Sequence, residues 1–217
     1  MTNAPEIVLG VTGSVSAYKA GDLVRQLKDA GYVVNCVLTQ WATRFIAPLT
    51  LQTLSERKAH TELFDPASPQ ITHTVLADHA KLVIIAPATA NVIAKFANGQ
   101  ADDLLSCLLL ATRAKLLFAP AMNVQMWQHP VVQRNVTTLK RLGVRFIGPE
   151  MGKLACGYEA IGHLAEVEDI VRAAKQLVPA SGLTGAPSAV TSPVRKPSVP
   201  AKRRSNKRPA KRSSRRR

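Results

Sequence analysis

Short apolar runs alternate with segments of helical spacing along residues 1–178. The apolar runs, rich in Val, Ile and Leu, predict strands at 6–10, 32–38, 81–86, 115–119 and 144–147. Apolar positions repeating every three or four residues predict helices at 15–30, 42–54 (broken at Pro48), 74–80, 91–98, 103–112, 131–142 and 166–178. Alternating strands and helices predict a Rossmann- or flavodoxin-like α/β fold, an open parallel sheet with helices on both faces in three layers.

The composition is that of a globular protein and excludes several other classes. Hydrophobic residues make up 46% of the 217 residues, which is enough for a core. No apolar stretch approaches the roughly 18 residues of a membrane span, and the N-terminus has neither the charge nor the apolar run of a secretory signal. Three widely spaced cysteines form no disulfide or zinc pattern. We therefore expect a cytoplasmic protein with reduced thiols and no membrane partner.

The formal net charge of +15 is concentrated near the C-terminus. Residues 179–217 hold 12 of the 29 basic residues, six of the 14 prolines and no acidic or aromatic residue. We therefore divide the chain into a globular domain, 1–178, and a disordered Pro/Ser/Lys/Arg-rich basic tail, 179–217. The tail has no apolar periodicity for a membrane helix and no aromatic residue for base stacking.

A polycation of this kind has polyphosphate backbones as natural partners. We expect the tail to bind nucleic acid non-specifically, with an affinity that falls steeply with salt. A solvated tail without a dedicated partner is an equally good interpretation, and a nuclear-import signal is a third.

Ligands of an open parallel sheet bind at the carboxyl ends of its strands. The first such loop, Gly10-Val-Thr-Gly-Ser-Val-Ser16, offers backbone N–H groups at the start of a helix, which suits a phosphate. It lacks the GxGxxG pattern, and Thr39 rather than an acidic residue follows the second strand. The loop therefore favours a mononucleotide phosphate over a dinucleotide, with a simple capped turn as the alternative.

The loops after the third and fourth strands carry further polar candidates. Thr89 and Asn91 can bond a ring or a phosphate, or can cap the following helix. Asn123 follows the fourth strand among small residues, a position typical of a ligand contact, whereas its Met and Trp neighbours are more typical of core.

A cysteine and a histidine complete the candidates. Cys156 lies between glycines near Lys153, whose charge favours a thiolate, whereas Cys36 and Cys107 lie in apolar elements and are expected to be inert. His73 precedes a short predicted helix and suits acid–base chemistry, although a single histidine is more often structural.

Together these segments resemble the homo-oligomeric flavin-containing cysteine decarboxylases. The resemblance covers about residues 7–178 and rests on four motifs in order. They are Gly13-Ser14-Val15 with Ala17-Tyr18-Lys19, the segment from His73 through residues 76–91, Pro120-Ala-Met-Asn-Val-Gln-Met-Trp127, and Leu154-Ala-Cys-Gly157. The third motif matches the family's PxMNxxMW signature, which flavin prenyltransferases of the same fold lack.

The resemblance implies a set of site residues and no metal. FMN would be bound by Gly13, Ser14, Val15, Thr39, Thr89, Ala90, Asn91, Val92 and Ala121. His73 would be the base in oxidation of the substrate thiol, and Cys156 would protonate a late intermediate. The substrate would contact Asn123, through its carboxylate, and Met122, Met126, Lys153 and Ala155. Ala160 and His163 depart from the glycine and arginine usual in the last motif.

The activity that the resemblance implies is FMN-dependent decarboxylation of phosphopantothenoylcysteine to phosphopantetheine in coenzyme A biosynthesis. The reaction would pass through a thioaldehyde and an enethiolate. The resemblance also implies a homotrimer or dodecamer with sites between subunits, and a separate phosphopantothenoylcysteine synthetase would be required for the pathway. One alternative is oxidative decarboxylation of a peptide's C-terminal cysteine, which needs no returning proton from Cys156. The other is a non-catalytic flavin-binding regulatory protein.

Overall fold

A five-stranded parallel sheet forms the centre of the fold. The computed structural model describes residues 4–64, 70–153, 157 and 159–180. The strands are β1 (Glu6–Val11), β2 (Val33–Leu38), β3 (Leu82–Ala88), β4 (Lys115–Pro120) and β5 (Arg145–Phe146). They pair in parallel in the order β2-β1-β3-β4-β5. The predicted open α/β sheet is confirmed.

Helices cover both faces of this sheet. The α-helices of the described residues are α1 (Ala20–Asp29), α2 (Pro48–Ser55), α3 (Thr72–His79), α4 (Ala90–Ala97), α5 (Leu104–Ala111), α6 (Val124–Gln128), α7 (Pro130–Arg141) and α8 (Val167–Leu177). Short 3-10 helices at Val15–Lys19 and Ala42–Arg44 precede α1 and α2. Among the described residues, no helix is long and apolar enough to cross a membrane.

Two predicted helices are divided in the structure. The segment predicted as one helix over 15–30 begins with the 3-10 turn and becomes α-helical at Ala20. The break predicted at Pro48 is confirmed, because Pro48 is the first residue of α2. A proline is accepted at that position since the first N–H of a helix has no partner within the helix.

Both faces of the sheet are buried, which explains the continuous apolar runs. In β1, Ile7 and Leu9 join the core beneath α1 and α8, while Val8 joins the core on the opposite face. On that second face Phe118 is fully buried, with its ring centroid 6.0 Å from that of Phe96. Strands that are buried on both sides lose the polar alternation of a half-exposed strand.

A small antiparallel hairpin, β6 (Glu150–Lys153) and β7 (Glu159–His163), was absent from the prediction. Its two strands contain glycines and charged residues rather than an apolar alternation, so no strand pattern is visible. The N–H of Met122 donates to the Gly162 carbonyl at 3.0 Å, which attaches the hairpin to the loop after β4.

Some predictions fall outside the described residues. Ala155 and Cys156 belong to this group, and of Lys153 the backbone alone is described. The predicted tail lies outside it too, apart from Pro179 and Ala180. The domain division at residue 178 therefore stays a prediction.

Candidate active site

A pocket of about 370 Å³ opens at the carboxyl edge of the sheet. It is formed by the loops after β1, β2, β3 and β4, which lie side by side in the sheet. Its lining residues are Thr12, Gly13, Ser14, Thr39, Trp41, Thr89, Ala90, Asn91, Val92, Lys95, Asp103, Ala121, Met122 and Met126. This is the edge at which parallel α/β sheets bind their ligands.

Most of the residues predicted to bind a cofactor meet in this pocket. Eight of the nine line it, and the ninth, Val15, lies in the adjoining 3-10 helix with 52% of its surface exposed. Of the predicted substrate contacts, Met122 and Met126 also line the pocket. His73 and Asn123 are not among the lining residues.

A buried hydroxyl ties together two of the loops that form the pocket. Thr12 Oγ1 donates to the carbonyl of Pro87 at 2.7 Å, and the N–H of Thr89 donates to Thr12 Oγ1 at 3.2 Å. Thr12 is 2% exposed. Sequence reasoning missed this residue, although a hydroxyl inside the Gly-rich loop was a visible signal.

The start of α4 lies at the pocket and is a candidate position for a phosphate. Thr89 is the N-cap residue of this helix, and its side chain forms no capping hydrogen bond. The N–H groups of Ala90, Asn91 and Val92 therefore face the pocket region without helical acceptors, as the first N–H groups of a helix do. These donors suit the phosphate of a mononucleotide.

Gly13 allows two loops to approach closely at the same end of the pocket. A Cβ atom placed on Gly13 would lie 2.4 Å from the Cβ of Trp41. Such a distance is too short for two carbon atoms. Only glycine therefore lets the backbone of the first loop pack against Trp41 and stay exposed to a ligand.

An ion cluster forms another wall of the pocket. Lys95 Nζ lies 2.7 Å from Asp102 Oδ1 and 2.8 Å from Asp103 Oδ2. Asp103 also caps α5, where its carboxylate and the Ser106 hydroxyl form a capping box. Sequence reasoning found Asp103 only as a helix boundary and missed Lys95, since eight positions separate the two charges.

The cluster shifts the pKa of the Asp103 carboxyl. Partial burial alone would raise this pKa, but hydrogen bonds from Lys95 and Ser106, with the positive charge of Lys95, outweigh burial and lower it. The pKa of Lys95 is raised. Burial alone would lower this pKa, but the hydrogen bonds and negative charges of Asp102 and Asp103 outweigh the effect of burial. The pair is therefore charged at neutral pH.

Asn123 and His73 lie at the same edge as the pocket but in different surroundings. The Asn123 side chain caps α6, accepting the Gln125 N–H at 2.8 Å. His73 lies inside α3, whereas the predicted helix began at residue 74; the earlier start follows an extended Ile71. Nδ1 of His73 is buried and has no hydrogen-bond partner among the described residues.

The fold and this pocket agree with the family to which the sequence is assigned. Residues 1–179 match the flavoprotein family, so the chain belongs to it. One relative, the coenzyme A biosynthesis bifunctional protein CoaBC of Bacillus subtilis, is 47% identical over 177 residues, which are 81% of this chain and 44% of the relative. The chain thus spans less than half the length of such bifunctional relatives.

Other relatives are matched along nearly their whole length. The probable phosphopantothenoylcysteine decarboxylase of Streptococcus mutans is 42% identical over 170 residues, which are 77% of this chain and 95% of the relative. A solved PPC decarboxylase mutant complexed with pantothenoylaminoethenethiol has a TM-score of 0.71 and 29% identity, over 79% of this chain and 97% of that one. The solved FMN-dependent cysteine decarboxylase SpaF has a TM-score of 0.70 and 31% identity, over 80% of this chain and 97% of that one.

Replacing the Thr12 hydroxyl should loosen the pocket. In Thr12→Val the Pro87 carbonyl loses its donor while the side-chain shape is kept, so unfolding free energy should fall by about 1–3 kcal/mol. FMN affinity should fall with it, because the loops after β1 and β3 are no longer tied together. Urea unfolding and FMN titration measure the two effects.

The control is Thr137→Val, whose exposed hydroxyl bonds within its own helix to Gln133. It should change stability by less than about 0.5 kcal/mol. Equal losses of unfolding free energy in the two variants would show that the Thr12–Pro87 hydrogen bond contributes no more to stability than a hydrogen bond on the surface.

The lowered pKa of Asp103 predicts a loss of stability in acid. A carboxyl with a folded pKa below its unfolded value of about 3.9 stabilises the fold above that value, and this contribution disappears as the pH falls through the folded pKa. Asp103→Asn keeps a capping side chain but removes the titration. Urea midpoints from neutral pH down through this range should therefore fall less steeply in the variant than in the unaltered chain.

Asp29→Asn at an exposed position serves as the matched control. Its pH profile should follow that of the unaltered chain. An Asp103→Asn profile as steep as the control's would contradict the assigned pKa direction.

Proposed function

We propose that this chain binds FMN and decarboxylates phosphopantothenoylcysteine to phosphopantetheine, a step in coenzyme A biosynthesis. The observation that carries the proposal is the pocket in which eight predicted flavin contacts meet, bordered by the PxMNxxMW segment. Relatives at 42–47% identity carry names from this pathway. Their identity exceeds the 31% of SpaF, which favours the metabolite over a peptide as substrate.

The pocket residues fit FMN by their donor chemistry. The N–H groups of Ala90, Asn91 and Val92, with the loop at Gly13 and Ser14, would hold the phosphate. Ala121, Val92 and Met122 supply apolar surface for the ring, which a flat aromatic ligand needs. FMN, when bound, accepts two electrons from the substrate and later returns them.

The remaining steps belong to residues of this chain. His73 Nδ1 takes the proton of the substrate thiol as the adjacent carbon is oxidised to a thioaldehyde. The Asn123 amide holds the carboxylate until CO2 leaves, and the electron pair of the broken bond is delocalised as an enethiolate. Cys156 would then donate a proton to one carbon, FMN when bound would supply the hydride to the other, and the proton held by His73 would return to sulfur, which balances to the thiol product.

A solved relative supports the enethiolate stage of this scheme. The PPC decarboxylase mutant structure contains pantothenoylaminoethenethiol, an enethiol. In our scheme this is the species that remains when CO2 has left and the returning proton has not yet been added.

We infer further that the site is completed in a homo-oligomer, a trimer or a dodecamer. The helix α3 ends close to the start of β3, at the amino edge of the sheet, so the first turn of α3, which contains His73, lies towards the carboxyl edge and the pocket. His73 is nevertheless not among the residues that line the pocket. Its buried Nδ1 is without a described partner. Tyr18 and Trp41 are 63% and 65% exposed near the pocket, an apolar rim that a second copy would cover.

For residues 179–217 the proposal is non-specific binding of nucleic acid. Twelve basic side chains without an acidic neighbour support contacts to phosphates. The absence of aromatic residues in this segment argues against base stacking.

The function predicts distinct failures for the two reactive residues. His73→Asn should retain FMN and abolish turnover. The control His79→Asn, at an exposed position on the same helix, should leave turnover unchanged.

Cys156→Ser should release CO2 but stall at the enethiol with the flavin reduced. The control Cys107→Ser should complete the reaction. Anaerobic assays with product mass and flavin absorbance measure each outcome.

Two outcomes of that assay would overturn the assignment. One is a flavin-loaded protein that decarboxylates cysteine-terminated peptides but not phosphopantothenoylcysteine. The other is a flavin-loaded protein that acts on neither substrate, which would indicate a binding protein.

Shared sites predict that two inactive variants can complement each other. His73→Asn and Asn123→Asp should each be inactive alone, and co-expression should restore part of the activity because mixed oligomers contain sites with both native residues. Light scattering should give a mass of three or twelve chains of 23.4 kDa. Inactive mixtures of the expected mass would place His73 and Asn123 of one site in the same chain.

A further inference from the structure

A basic groove lies at the edge of the sheet opposite the pocket. It has a volume of about 560 Å³ and includes the side chains of Arg113, Lys115 and Arg145. Its other described lining residues are Phe96, Leu109, Leu110, Thr112, Ala114, Leu116, Leu142, Gly143 and Leu177. No acidic residue is among these lining residues.

The basic groove is remote from the pocket because of the sheet topology. Arg113 immediately precedes β4, Lys115 is the first residue of β4, and Arg145 is the first residue of β5. The groove therefore lies at the amino ends of strands whose carboxyl ends form the pocket. A strand of six residues separates the two edges by roughly 20 Å.

The three cations of the basic groove form no ion pair with any described residue. None of them has a carboxylate within ion-pair distance among the described residues, whereas Lys95 has two and Lys19 has Glu166. The Lys115 ammonium donates to the Leu177 carbonyl at 2.7 Å, a neutral acceptor that leaves the charge in place. Unpaired charges of one sign along a groove create a potential that attracts polyanions.

The end of α8 lies beside the basic groove. Leu177, the last residue of α8, lines the groove, and the next carbonyl, that of Val178, accepts the Tyr32 hydroxyl at 2.6 Å just before β2. The end of α8 and the three groove cations therefore lie at the edge of the sheet that the pocket does not occupy.

We propose that the basic groove binds the phosphate backbone of a nucleic-acid strand. The inference rests on the nucleic-acid binding proposed for the tail and adds a binding surface on the folded domain. Contacts to phosphates fix a strand without reading its sequence. The guanidinium groups of Arg113 and Arg145 suit phosphate oxygens. Phe96 is the single aromatic residue among the described lining residues, so the groove offers little surface for base stacking and we expect non-specific binding.

The test compares charge removals of equal size in the full chain. Arg113→Gln/Arg145→Gln neutralises the groove, and Arg25→Gln/Arg134→Gln removes two exposed charges elsewhere. A third variant replaces the twelve tail cations by Gln. Anisotropy of a labelled single-stranded oligothymidylate at several KCl concentrations gives Kd and its salt slope.

The groove variant should weaken binding on the order of tenfold at low salt and reduce the log–log salt slope by about 1.4, since each phosphate contact to a single strand contributes about 0.7. The control pair should stay within about twofold, because rim charges that touch no ligand matter little. Unchanged flavin absorbance and turnover in both variants show that the fold and the opposite edge are intact.

The remaining outcomes separate the two proposals. No binding by the unaltered chain would end the tail proposal and this inference with it. Binding that disappears in the tail variant but is equal in the groove and control variants would keep the tail proposal and overturn the groove. Groove-dependent binding that is tighter to polyglutamate or to phosphatidylserine vesicles than to the oligonucleotide would replace nucleic acid by an acidic protein or a membrane surface.

Discussion

The parallel pairing of β2, β1, β3 and β4 is the constraint on which the rest of the molecule depends. Parallel strands place all their carboxyl ends at one edge, so four loops far apart in sequence converge there. Each loop makes a different contribution to the pocket. Gly13 allows the loop after β1 to approach Trp41 closely, Thr89 precedes the first turn of α4, and Met122 provides apolar surface. Antiparallel pairing would distribute the same loops between two edges and leave no pocket.

The fold and the pocket were largely predictable because both follow from local sequence patterns. Strands buried on both faces form apolar runs, and cofactor loops combine small residues with hydroxyls directly after them. The hairpin of β6 and β7 was missed because its glycines and charges carry no alternation. Lys95 and Thr12 were missed because their partners are determined by tertiary contact, at separations of eight and 75 residues.

The two edges of the sheet differ in how the charges of their described residues are paired. At the carboxyl edge, the Lys95 ammonium in the pocket wall is paired with the carboxylates of Asp102 and Asp103. At the amino edge, Arg113 and Arg145 lie without described carboxylates and near the end of α8.

The buried Nδ1 of His73 connects the geometry of the fold to the chemistry proposed for the site. A buried nitrogen without a hydrogen bond is costly, because burial removes its bond to water without replacing it. Nδ1 of His73 has no such bond to any of the residues that the structure describes. In the function proposed above, a substrate thiol would supply the missing partner. The nitrogen that lacks a hydrogen bond in the described structure would then be the atom that takes the proton, so the cost of its burial would be recovered when the substrate binds.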